Sequence, residues 1–233
     1  MTSRVDDPSG AVLVSVSGDV TNHSAGQYVS VGVTMPDGAR QLRQYSLVNA
    51  PGSGELTFAV KPVGADGDRP GGEVSNWIQA NVRVGDLLDV TIPFGDLPTP
   101  PSGAPLVLIS AGIGVTPMLG ILAGLAVDAP DTEVRALHAD RNELGHPLRE
   151  RQRELVAALP NATLERWYED GTVAGTHTGL LTLDSTDLPD GAEVYLCGNN
   201  GFVQAVRAQL SGLGIDASRV HCELFSPNDW LLG

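Results

Sequence analysis

The segment Leu42-Arg43-Gln44-Tyr45-Ser46-Leu47 puts a guanidinium, an aromatic ring and a hydroxyl close together on a predicted strand. Successive strand side chains point to opposite faces, so Arg43, Tyr45 and Leu47 share one face and Gln44 and Ser46 the other. An anion-binding arginine beside a flat ring and a small donor suits a planar ligand that carries phosphate. Two glycine turns supply matching chemistry. In Gly112-Ile113-Gly114-Val115-Thr116-Pro117 an apolar strand runs into a helix, with Thr116 expected as N-cap and Pro117 as first helical residue. Its glycines would admit close approach, and its helix start favours an anion. The third glycine of the dinucleotide fingerprint is replaced by Pro117. In Gly71-Gly72-Glu73-Val74-Ser75 a second nest precedes a helix and could cradle a diphosphate. An ordinary loop capped by Ser75 is the competing reading.

Two further stretches end strands of the second half. Cys197-Gly198 stands where an open α/β sheet binds ligands, although a buried core thiol explains Cys197 equally. Glu223-Leu224-Phe225-Ser226-Pro227 closes the last strand; Phe225 is either core or the cover of a ring system. The chain shows no convincing Ser-His-Asp set or carboxylate pair, and His138 and His177 read as structural or solvent-facing.

The elements that must position these residues fall into two rhythms. Up to about Phe94, short β-segments are broken by Gly, Pro and Asp: Val12–Val16, Tyr28–Val33, Leu42–Leu47, Leu56–Val60 and Leu87–Ile92. Leu56, Phe58 and Val60 alternate with Thr57, Ala59 and Lys61, the pattern of a half-buried strand. A short helix is expected at Ser75–Val82, with Trp77 and Ile78 inward. The turn-rich Leu97–Gly103 marks the expected boundary. Beyond it, strands at Pro105–Ser110, Glu133–His138, Thr163–Trp167, Glu193–Cys197 and Val220–Phe225 alternate with helices at Thr116–Val127, Pro147–Leu159 and Gly201–Leu213. That alternation implies a parallel sheet with helices on its faces. The expected fold is a small antiparallel β-barrel over residues 1–100 followed by an α/β parallel-sheet domain over 105–233.

A length of 233 residues suits one large domain or two small ones. The net charge of −14 disfavours a nucleic-acid partner. No apolar run is long enough to span a bilayer, and no signal peptide is visible, so the expected location is cytoplasmic. Lys61 is the only lysine, which reads as codon bias. Cys197 and Cys222 have no metal-ligand spacing and are expected to be reduced, buried thiols.

The order Gly26-Gln27-Tyr28, Arg43-Gln44-Tyr45-Ser46, Gly71-Gly72-Glu73-Val74-Ser75-Asn76, Gly112-Ile113-Gly114-Val115-Thr116-Pro117, Cys197-Gly198 and Glu223-Leu224-Phe225-Ser226-Pro227 resembles the ferredoxin–NADP reductase superfamily. Within it, the chain is similar to the reductase module of bacterial flavohaemoglobins, which His138-Ala139-Asp140-Arg141-Asn142 also resembles. The resemblance implies an FAD-binding barrel, an NAD(P)-binding domain, and hydride transfer from NAD(P)H to flavin followed by one-electron transfers. It implies that Arg43 binds the flavin phosphates, that Tyr45 packs on the isoalloxazine with Gln44 and Tyr28 nearby, and that Ser46 bonds near N5. Gly72, Val74 and Ser75 would hold the diphosphate. Gly112, Ile113, Gly114, Val115, Thr116 and Pro117 would line the nicotinamide-nucleotide site, with Cys197 and Gly198 near the nicotinamide. Phe225, flanked by Leu224, Ser226 and Pro227, would cover the flavin, with Glu223 close by. Arg141 would contact the nucleotide's ribose or a 2′-phosphate. NADH is the favoured nucleotide, and FMN in place of FAD is a smaller alternative.

The sequence also departs from that pattern. Asn199 and Ser226 stand where the family has Pro and Gly. Only Met1–Ala11 remain for a further N-terminal strand, so the barrel is expected to be incomplete or completed by another chain. No globin precedes the module, so the acceptor would be a separate haem globin, iron–sulfur protein or quinone-type compound, or the chain would be part of a longer protein. A non-catalytic nucleotide-binding or regulatory subunit that keeps the fold is the alternative reading.

Overall fold

The computed structural model describes residues 1–19, 22–65, 67, 71–95, 97, 103–183 and 188–224. The N-terminal half contains β1 (Ser3–Asp6), β2 (Val12–Val16), β3 (Tyr28–Thr34), β4 (Arg40–Ser46), β5 (Leu56–Val60), α1 (Glu73–Asn81) and β6 (Asp89–Val90). They form two antiparallel sheets, in the orders β1-β2-β5 and β4-β3-β6, joined by a bridge between Leu47 and Phe58. Val12, Val14, Val29, Val31, Phe58 and Ile78 meet between them. Each fully buried large side chain contributes roughly 1.5–3 kcal/mol.

Three expectations change here. The N-terminal strand is present: β1 pairs with β2 from Ser3 opposite Ser15 to Asp6 opposite Val12. Strand β5 is buried on both faces, because Ala59 packs against Val115 and Leu119 of the other half. The Leu87–Ile92 strand shrinks to Asp89–Val90, and Leu87 is 98% exposed. Leu88 and Val90 pack on the core, whereas Leu87 and Ile92 are exposed.

The C-terminal half contains β7 (Leu106–Ala111), α2 (Val115–Asp128), β8 (Val134–Asp140), α3 (Arg149–Ala157), β9 (Ala162–Tyr168), β10 (His177–Thr178), β11 (Glu193–Gly198), α4 (Asn200–Gly212) and β12 (Val220–Leu224). The parallel sheet runs β10-β9-β8-β7-β11-β12. Helices α2 and α3 cover one face through Met118, Leu122 and Val156, and α4 covers the other through Val203, Val206 and Leu210. The chain builds outward from β7 in one direction, then returns to build in the other. The order therefore reverses between β7 and β11, where open α/β sheets bind ligands. Strand β10 is absent from the sequence pattern because its two residues are exposed.

The two halves are in contact. From Val115 to Gly124 every residue of α2 is buried. A side chain at Gly120 would strike the carbonyl of Leu47, and one at Gly124 would come within 2.8 Å of Ala25 Cβ. Arg151 donates to the Val48 carbonyl at 3.0 Å from α3. Residues 98–102 of the expected boundary lie outside the described residues. No helix among the described residues is long and apolar enough to cross a membrane.

Candidate functional site

A cleft of about 280 Å³ opens at the end of β4. Arg43, Gln44, Tyr45 and Ser46 form one wall, Gly72, Val74 and Ser75 another, and Ile113 and Thr116 reach in from the other half. The expected division of β4 into two faces gives way here, since consecutive residues all border the cleft at the strand's end. Arg43 is exposed and bonds only within its own strand, to the Leu42 carbonyl at 2.7 Å and Gln41 Oε1 at 3.3 Å. It has no carboxylate partner among the described residues, so its guanidinium is available to an anion. The Tyr45 ring stacks on Phe58 at 5.4 Å. Burial pushes its phenol up to about 12, with Arg43 pulling slightly the other way, so it stays protonated.

At the second wall α1 begins two residues earlier than expected. Gly72 is the N-cap and makes no side-chain bond, which leaves the first-turn amides to an anion. Ser75 does not cap; its Oγ donates back to the Gly72 carbonyl at 3.4 Å.

The Gly112–Pro117 turn also departs from expectation. A 3-10 turn at Gly112–Gly114 precedes α2, and Gly114 occupies the cap. Thr116 lies inside the helix, and its Oγ1 donates to the Ile113 carbonyl at 2.9 Å. Val115 and Pro117 are buried in the helix. A Cβ at Gly114 would sit 2.5 Å from the Cys197 carbonyl, so this glycine admits strand β11 and not a ligand. Gly112, at φ +53° with open space around it, is the glycine free for close approach.

Beyond the turn, the strand ends form a row. The register puts Glu223 opposite Cys197 and Cys197 opposite Ser110. Ser46 donates to Glu223 Oε1 at 3.3 Å, joining β4 to β12. Burial raises the Glu223 carboxyl to about 7, while the Ser46 bond lowers it in part. Its Oε2 is buried without a hydrogen-bond partner among the described residues. Burial also drives the Cys197 thiol well up, reinforced by Glu223, so this group is no thiolate. Cys222 is exposed, contrary to the expectation of two buried thiols.

Other expected residues stand apart. Tyr28 packs edge-on against Phe94 at 4.4 Å, and its hydroxyl accepts from Gln44 at 3.4 Å. Arg141 is exposed after β8, away from the cleft lining. The Gly198 backbone ends β11 under the Phe202 ring. Leu224 ends β12, and Phe225, Ser226 and Pro227 lie outside the described residues. The Asn199 departure has a local cause: its Oδ1 accepts from the Phe202 amide at 2.9 Å and caps α4.

Sequence reasoning missed a buried polar group beside this row. His138 Nδ1 lies 2.9 Å from Ser110 Oγ, and its ring stacks on His146 with centroids 3.7 Å apart. His146 Nδ1 meets the Tyr168 hydroxyl at 3.0 Å. Burial keeps both rings neutral by lowering their affinity for a proton. Lys61, which also lines the cleft, was missed as well; only its rarity marked it.

Comparison with known proteins gives a consistent result. The family model of the oxidoreductase NAD-binding domain matches residues 108–208. The Flavohemoprotein of Vibrio cholerae is 37% identical over 221 residues, 93% of this chain and 55% of that protein. The chain thus spans about half the length of such relatives. The crystal structure of the flavohem-like FAD/NAD-binding domain of nitric oxide dioxygenase from Vibrio cholerae superimposes with a TM-score of 0.86 at 34% identity, covering 93% of each chain. Flavohemoglobin from Malassezia yamatoensis, with bound FAD and heme, gives a TM-score of 0.85 at 31% identity over 97% of this chain and 58% of that one.

Proposed function

Because the chain belongs to the family of FAD/NAD-binding reductase modules of flavohemoproteins, we propose that it is an FAD-dependent NAD(P)H oxidoreductase serving a separate acceptor, a haem globin or an iron–sulfur protein. The observation that carries this reading is the cleft, where Arg43–Ser46, the start of α1 and the start of α2 converge from three distant stretches. We read residues 1–100 as the flavin half and 105–233 as the nucleotide half, with NADH as the favoured donor.

The residues fit such a group. A guanidinium without a carboxylate partner and an uncapped helix start suit a diphosphate, and a half-buried ring stacked on the core suits a flat ring system. Bound flavin supplies two-electron acceptance and one-electron release; the protein supplies binding, alignment and electrostatics. In this reading Arg43 and the amides of Glu73–Ser75 hold the phosphates, the Gly72 amide being spent on the Val63 carbonyl. Tyr45 keeps one ring face dry. Gly112 lets the nucleotide approach, and Cys197 lies behind that turn as a buried, neutral thiol. Ser46, in the cleft wall, and Glu223, bonded behind it, hold a proton there, since a carboxyl raised to about 7 is half protonated at neutral pH. Two ligands held by rigid elements react with the advantage of proximity.

Purified protein should be yellow and should bleach anaerobically with NADH or NADPH. A colourless protein that cannot be loaded with FAD overturns the proposal. Nucleotide binding by calorimetry without flavin reduction would point to a regulatory subunit.

A further inference from the structure

The stretch of chain that follows the cleft wall is gripped from the other half. Ser46 ends β4 in that wall, and residues 47–51 come directly after it. On α2, Gly120 lies so close to the Leu47 carbonyl that a Cβ there would strike it. One turn further on, a Cβ at Gly124 would stand 2.8 Å from Ala25 Cβ and 3.7 Å from Pro51 Cδ. From α3, Arg151 donates to the Val48 carbonyl at 3.0 Å. The gripped residues are fixed in turn: the Leu47 amide donates to the Gln27 carbonyl at 2.8 Å and the Val48 amide to the Thr57 carbonyl at 2.9 Å. On its far side α2 packs on the parallel sheet through Met118, Ile121 and Leu122. Its first turn carries Thr116 into the cleft, one turn ahead of Gly120. One helix therefore both seats the two halves on each other and supplies part of the cleft lining. A methyl added to so close a seat is relieved by a shift of the backbone, and α2 would take the sheet and its cleft residues with it.

We infer that Gly120 and Gly124 are positioning residues for transfer to the flavin. Their missing Cβ atoms set how far the nucleotide half stands from the flavin half. That spacing is the gap crossed by the hydride, which leaves NAD(P)H as NAD(P)+ and carries both electrons to the flavin, an assignment that rests on the oxidoreductase reading. Transfer depends steeply on alignment, and a misplacement of about 1 Å costs on the order of a hundredfold. Arg43 and the start of α1, read above as the phosphate contacts, belong to the N-terminal half alone, so spacing is separable from flavin affinity.

The test uses the FAD-loaded chain and stopped-flow reduction by NADH and NADPH without oxygen, at a temperature where every variant is folded. Gly124→Ala should slow the limiting reduction rate per bound flavin roughly tenfold or more. Affinity for FAD by fluorescence titration, and the nucleotide concentration at half-maximal rate, should each change less than about threefold. Ala25→Gly supplies the rescue: without its Cβ, the nearest atom of residue 25 is Cα at 4.0 Å, an ordinary contact. In the Ala25→Gly background the added methyl should therefore cost less than about threefold in rate. Gly120→Ala should be slow in both backgrounds, because it strikes a backbone carbonyl that no side-chain change removes. A crystal structure of Gly124→Ala should show Thr116 farther from Ser46 than in the parent.

An unchanged rate in Gly124→Ala overturns the inference. A deficit that persists in the Ala25→Gly background overturns it too, because its cause would lie outside this contact. So does a loss of FAD affinity in step with the rate, which would make the seat part of flavin binding. Should Gly124→Ala fail to fold, Ala25→Val crowds the same contact from the N-terminal half with Gly124 intact, and a parent-like rate there overturns the inference. A parent chain that binds no FAD or is not reduced fails the oxidoreductase reading itself, and the inference falls with it.

Discussion

At the start of α1 Gly72 lines the cleft, whereas at the start of α2 Gly114 stands against another strand. A Cβ on Gly72, at φ −67°, would meet Ser75 Oγ at 2.6 Å, which can rotate away, and Val63 Cβ at 2.9 Å, which moves only with its backbone. A Cβ on Gly114 would meet the Cys197 carbonyl at 2.5 Å, and that carbonyl is fixed in a strand paired on both sides. Both turns read as phosphate nests in sequence. One leaves its helix start to the cleft, and the other lets the chain approach itself. Glycine records that something comes close, not what comes.

Substitutions can break or sharpen that contrast. Gly114→Ala should have the largest effect, a loss of about 3 kcal/mol, or roughly 6–12 °C in melting temperature. A melting curve like the parent's would mean that β11 yields and that Gly114 could serve a ligand after all. Arg43→Ala should leave melting within about 1–2 °C, since the side chain is exposed. Its FAD affinity should fall roughly 10- to 100-fold by fluorescence titration, the worth of a charge-assisted contact. Retained affinity would remove Arg43 from the cleft's function.

Glu223, bonded to Ser46 of the cleft wall, allows a test by pH. Its folded pKa, about 7, lies above the ordinary 4.5. The folded chain keeps a proton that the unfolded chain releases, so this group's effect is absent below pH 4.5 and costs stability as pH rises to 7. The cost is about 1–3 kcal/mol. Glu223→Gln should flatten the fall in stability between about pH 5 and 8 and weaken the pH dependence of flavin reduction near 7. An unaltered pH profile would contradict the buried carboxyl. Gly112→Ala should cost least, about 1–2 kcal/mol from its left-handed φ, because no atom lies within 4 Å of the added methyl. A loss as large as that for Gly114 would show that Gly112 too is packed by the chain.

Legibility followed the range of the interactions. Strands β2 and β5 match their expected limits because apolar alternation over five residues is a local signal. The expected strand Leu87–Ile92 shortens to Asp89–Val90, where it pairs with β3, and its packing on the core is limited to Leu88 and Val90. Hydroxyls beside helix starts suggested Ser75 and Thr116 as caps, yet both bond backward from inside the first turn. Asn199 read only as a departure from the family pattern, and the structure shows it as a helix cap.

The sequence by itself determined the two rhythms of the chain, the antiparallel and the parallel halves, and the residue types of the cleft, because periodicity and short motifs are local. Only the tertiary structure decided which glycine faces open space and which faces chain. It also brought Ser46 to Glu223 across 177 residues, Lys61 to Gly145 across 84, and stacked His138 on His146. Those contacts depend on how two sheets and a buried helix pack together, and no window of sequence contains both partners and the distance between them.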